Sequence, residues 1–98
     1  MISTSYQNTE IKHLVERGKS KIYEKIAKSR TMMEHLRSFF VILSTIDSTE
    51  ELKGYKFFDY HRDANESWAK FCVKKLSMVL LFTEQHQGTH INIHNIII

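Results

Sequence analysis

Residues 21–43, KIYEKIAKSRTMMEHLRSFFVIL, carry Ile22, Ile26, Met33, Leu36, Phe40 and Leu43 at spacings of three, four and seven. Apolar side chains repeating near every 3.6 residues gather into one stripe of a helix. A single amphipathic helix is therefore expected from Lys21 to Leu43, with Ser20 as its cap. Its opposite face holds Lys21, Glu24, Lys25 and Lys28, the side left to water or to a phosphate backbone. Upstream, Thr9 is a plausible N-cap, and Gly18 stands where a left-handed residue would stop a helix, predicting about two turns between them. Met1 to Tyr6 alternates loosely and reads as a short first strand.

Beyond the long helix the character changes. Ser48-Thr49-Glu50-Glu51 has the capping-box spacing, with Glu51 able to reach back to the Ser48 amide, and Gly54 ends the turn it starts. Tyr55 to His61 is rich in aromatic residues, Trp68 to Val73 mixes apolar and polar ones, and Leu76 to Phe82 is strongly apolar, so all three read as strands. His90 to Ile96 alternates, placing Ile91 and Ile93 on one face and His90, Asn92 and His94 on the other. Gln85 to Gly88 supplies the hairpin before it, Gly88 allowing a positive φ. The expected fold is α+β, one domain over residues 1–98, with two N-terminal helices packed on a small antiparallel β-sheet.

With 98 residues, 42% hydrophobic and 26% charged, and a net charge of only +3, the composition is that of one folding domain rather than a disordered chain. The charge is uneven. Residues 1–40 carry eight Lys/Arg against four Glu, residues 41–66 three against six Asp/Glu, and residues 67–98 three against Glu84 alone. A basic helical half is the electrostatic footprint of a protein that meets nucleic acid or another polyanion. The longest apolar runs, Phe39–Leu43 and Met78–Phe82, fall far short of the roughly 20 residues of a membrane span. Met1 to Gln7 has neither the basic nor the apolar region of a secretory signal. The expected location is the cytoplasm, away from membranes. Cys72 stands alone, which excludes an internal disulfide and a cysteine zinc site. Three glycines build no phosphate-cradling loop.

Chemistry concentrates at His61, which closes the aromatic strand and is followed by Arg62, with Lys56, Lys70, Lys74 and Lys75 on neighbouring strands. Histidine exchanges a proton near neutral pH, and cations hold a phosphate and the charge that develops on it. These are the parts of a metal-free RNA-cleaving site. His90 and His94, four apart in a strand, lie about 13 Å from each other and cannot share an ion. No metal and no cofactor is expected.

The order of elements and several local strings resemble the HigB-type toxins of the RelE/ParE superfamily, small bacterial proteins encoded beside an antitoxin. The resemblance spans most of the chain. Ile11 to Gly18 matches the family's early helix, and Lys21 to Leu52 its long second helix and polar turn. Tyr55-Lys56-Phe57 followed by Tyr60-His61 resembles a strand that ends in an apolar residue and a histidine, and Ile91 to Ile97 the last strand. The resemblance implies a RelE-like fold and a metal-independent endoribonuclease that cleaves mRNA on the ribosome, held inactive by a helix-turn-helix antitoxin. It places His61 at a position proposed to act in cleavage. Lys56, Arg62, Lys74 and Lys75 are then the expected phosphate contacts, with His90 and His94 completing the RNA-facing surface. Ser77 and Met78 stand where many members have an arginine. Members also commonly carry acidic, tyrosine or histidine residues beyond the last strand. The competing expectations are therefore a non-catalytic RNA- or protein-binding module, or a ParE-like toxin aimed at a topoisomerase.

Overall fold

The first helix, α1 (Thr9–Arg17), starts where the Asn8 side chain accepts from the Ile11 amide at 3.0 Å, and it ends at Gly18, whose φ of 69° is left-handed. The cap is thus Asn8, one residue before the expected Thr9, and the glycine stop stands as expected. The chain is seen in a computed structural model that describes residues 1–55, 58–62, 67–73 and 76–98.

The single helix expected from Lys21 to Leu43 is two, α2 (Glu24–Lys28) and α3 (Arg30–Thr45). The break falls at Ser29, whose ψ of 110° is extended. Its amide reaches the Ile26 carbonyl at 3.0 Å, and its hydroxyl accepts from the Met32 amide at 3.2 Å. A serine side chain competes for backbone groups inside a helix and favours caps, so one residue ends α2 and begins α3. The break also resets the apolar phase. Met33, Leu36, Phe39 and Leu43 are buried, Phe40 is only partly so, and Ile22 precedes α2 and is 71% exposed. The capping box is present in the 3₁₀ turn Thr49–Gly54, where Glu51 accepts from the Ser48 amide at 3.2 Å.

Five strands follow the sheet order β1-β5-β4-β3-β2: β1 (Ser3–Tyr6), β2 (Phe58–Arg62), β3 (Ser67–Val73), β4 (Leu76–Gln85) and β5 (His90–Ile97). The fold is α+β, but the sheet is mixed rather than antiparallel. β1 runs parallel to β5, Ser3 beside His90, because the intervening helices and strands return the chain to β1 in the same direction. One core lies between the helices and one face of the sheet. It joins Ile11, Leu14, Ile26, Leu36 and Phe39 to Leu80, Phe82, Ile91 and Ile93.

Regular alternation does not persist through β5. Leu81 pairs with Asn95 and Phe82 with Ile93, so His94 is an extra residue in a β-bulge. The bulge lets Ile93 and Ile96, three apart, both point into the core. Two strand residues three apart would otherwise point to opposite faces.

Gly88 has a φ of +81°, and a Cβ there would lie 2.7 Å from Thr49 Oγ1 and 3.2 Å from the Thr49 amide nitrogen. Left-handed strain and overpacking add. Gly88→Ala is expected to lower stability by about 2–4 kcal/mol. Thermal unfolding checks this, and a loss below about 1 kcal/mol would contradict the close packing. Among the described residues no helix is long and apolar enough to cross a membrane.

Candidate functional site

Alternation along β2 sorts its side chains. Phe58, Tyr60 and Arg62 fall on the face toward the helices, and Asp59 and His61 on the other, against which no described element packs. The β2–β3 register then sets His61 directly across from Trp68, and Asp59 across from Lys70. A base, an aromatic ring, an acid and a cation thus form a square on the open face of the sheet.

His61 Nε2 lies 2.9 Å from Asp59 Oδ1, with the two side chains 53% and 59% exposed. The imidazole stacks on the Trp68 indole, ring centres 4.6 Å apart and planes at 28°. A core histidine would be buried and bonded to backbone. This one is accessible, oriented by a carboxylate and steadied by a flat aromatic partner. It can accept or donate a proton on the open side while its other nitrogen is held. Lys70, one rung away, adds positive charge to the same surface.

Arg62 goes the other way. Its guanidinium lies 2.5 Å from Glu84 Oε2 and 3.6 Å from Glu50 Oε1, and it donates to Thr49 Oγ1 at 3.4 Å. The Glu84 side chain is only 9% exposed, and its other oxygen accepts from the Tyr60 hydroxyl. Burial and then the bond to Glu84 push the Tyr60 phenol above its ordinary value. Arg62 therefore neutralises an internal carboxylate and does not converge with His61. Arg62→Ala is expected to cost about 1–3 kcal/mol by leaving that carboxylate without its cation. An unchanged melting temperature would return Arg62 to the surface as a free phosphate contact.

His90 and His94 are on the open face, on β5. His90 is held by both ring nitrogens, Nδ1 2.6 Å from the Ser3 hydroxyl and Nε2 3.0 Å from that of Ser5. His94 Nε2 lies 3.0 Å from Thr83 Oγ1. Strands β2 and β5 are separated by β3 and β4, roughly 14 Å at the usual strand spacing. The β5 histidines consequently share a surface with His61 but not a reacting atom. Lys56, Lys74 and Lys75 lie outside the described residues. The exposed lysines of α2, Lys25 and Lys28, belong to the helical layer on the opposite side of the sheet, and Lys28 is paired with Glu24 at 2.7 Å. Basic helices and His61 do not form one continuous surface. Among the described residues, no group of three or more His, Cys, Asp or Glu is placed to hold a metal ion.

Compared with protein-family profiles, curated proteins and solved structures, the chain matches none. Sequence reasoning reached His61 but passed over Asp59 and Trp68. The signal was there as Asp59-x-His61 facing Trp68-x-Lys70, but using it requires the hairpin register, which those residues do not specify by themselves.

Proposed function

We propose that the chain is a RelE-like toxin that cleaves mRNA on the ribosome in the cytoplasm, with His61 as its acid/base group. The observation that carries this reading is the accessible His61, bonded to Asp59 and stacked on Trp68, beside Lys70 on an uncovered sheet face. The α+β order of a strand, helices and four further strands supports the reading at the level of fold class, while the parallel pairing of β1 with β5 departs from the antiparallel sheet expected. In such a reaction His61 takes the proton of a ribose 2′-hydroxyl. That oxygen bonds to phosphorus, the bond from phosphorus to the 5′-oxygen breaks, and the leaving oxygen takes a proton from water. Lys70 offsets the charge that builds on the phosphate. No cofactor is required, and a helix-turn-helix antitoxin is the proposed partner.

The engagement of Arg62 with Glu84 and Glu50 favours a second reading, a non-catalytic RNA- or protein-binding module, because it removes a cation from the reacting surface. Induced expression in bacteria with primer-extension mapping of mRNA ends decides between them. New ends within translated messages are expected. A folded chain that produces none overturns the nuclease reading. RNA affinity falling steeply between 50 and 200 mM salt would then leave an RNA-binding module, whereas no RNA binding would leave a protein partner, a topoisomerase among the targets.

A further inference from the structure

We infer that Asp59 and Trp68 are positioning residues that fix which nitrogen of His61 works, an assignment that rests on His61 being the acid/base group. Three features converge. Nε2 is the nitrogen that faces a carboxylate, 2.9 Å from Asp59 Oδ1. An ionised carboxylate only accepts, so the proton of the neutral imidazole sits on Nε2 and the lone pair on Nδ1. The ring cannot swing freely, because one face is covered by the Trp68 indole at 4.6 Å between centres. Finally, Asp59 is not committed to an internal pair, since it lies on the open face with only Lys70 across the ladder from it.

The consequence is a division of labour within one side chain. Nδ1 receives the substrate proton, and the imidazolium so formed keeps its Nε2–H on the Asp59 carboxylate. Trp68 supplies geometry rather than charge. It restricts the ring to one plane, so that the working nitrogen meets the hydroxyl in the same orientation in each encounter.

Asp59→Ala and Trp68→Leu, made in the full chain, separate these roles. Two-dimensional 15N NMR of the histidine rings reads the first without any substrate: a protected Nε2–H signal for His61 is expected in the wild type and lost in Asp59→Ala. Cleavage of a translated message is expected to slow by about 10–100-fold in Asp59→Ala, in turnover rather than in KM, with Asp59→Glu recovering part of the loss. Trp68→Leu should keep the Nε2–H signal and slow turnover more mildly. If Asp59→Ala retains wild-type cleavage while His61→Ala does not cleave, the positioning role is overturned and the nuclease reading stands. If the wild type shows the ring proton on Nδ1, the assignment of the working nitrogen is overturned whatever the rates. If His61→Ala cleaves like the wild type, the underlying reading falls and the inference falls with it.

Discussion

His61→Ala is expected to reduce mRNA cleavage by roughly 10²–10⁴-fold, the span over which a positioned general acid or base contributes, and to abolish the associated growth inhibition. The melting temperature should fall by no more than about 8 °C, because the side chain is half exposed, bonded to the exposed Asp59, and outside the core. Exposed pairs of this kind contribute a few tenths of a kcal/mol, and with the lost stacking on Trp68 the total should be about 1 kcal/mol. The pairing of a large kinetic effect with a small thermal one is the test. A fall in cleavage matched by a comparable loss of fold would mean that the histidine is structural and that the reaction lies elsewhere.

Phe39→Ala should produce the largest change in stability. Phe39 is 0% exposed and sits in α3 at the centre of the core, with ring centres 5.7 Å from Phe40, 5.5 Å from Phe58 and 6.3 Å from Phe82. Removing a buried phenyl ring costs about 3–5 kcal/mol through lost transfer energy and the cavity left behind. Native domains are stable by about 5–15 kcal/mol in total, so a large part of the margin would go. For a domain of this size the melting temperature should drop by more than about 12 °C. Phe39→Leu, which keeps most of the volume, should cost under about 2 kcal/mol. Differential scanning calorimetry of the two variants checks the pair, and equal losses would show that aromatic geometry rather than volume governs the site.

Much of the fold was legible because local rules decide it. Gly18 reads as a helix stop, Ser48 and Glu51 as a capping box, and Ile91 and Ile93 as the buried side of a strand, each from its immediate neighbours. The misses needed information from further away. The apolar stripe through Ile22 and Phe40 has good helical spacing, but Ser29 caps α3 with its own side chain, which shifts Phe39 inward and leaves Ile22 outside. The parallel pairing of β1 with β5 joins residues at opposite ends of the chain and has no local signature. His94 reads as one more alternating polar residue until Ile93 and Ile96 are both required in the core.

The candidate site divides along the same line. His61 is visible as a histidine at a strand end beside an arginine. That Arg62 turns inward to Glu84 follows from the period of two in β2. That Trp68 stacks on His61 follows from the pairing of β2 with β3, a register that neither strand specifies by itself.

Ser3 and His90 are 87 residues apart in sequence yet touch side by side. During synthesis, which releases the N-terminus first, β1 has no partner until β5 has emerged. The helices meanwhile have their apolar stripe without Ile91, Ile93 and Ile96 to cover it. Closing so long a loop is entropically slow relative to forming the neighbouring hairpins. The strand that clasps His90 is therefore the last piece set in place, and the polar half of the open face matures only as translation of this region ends.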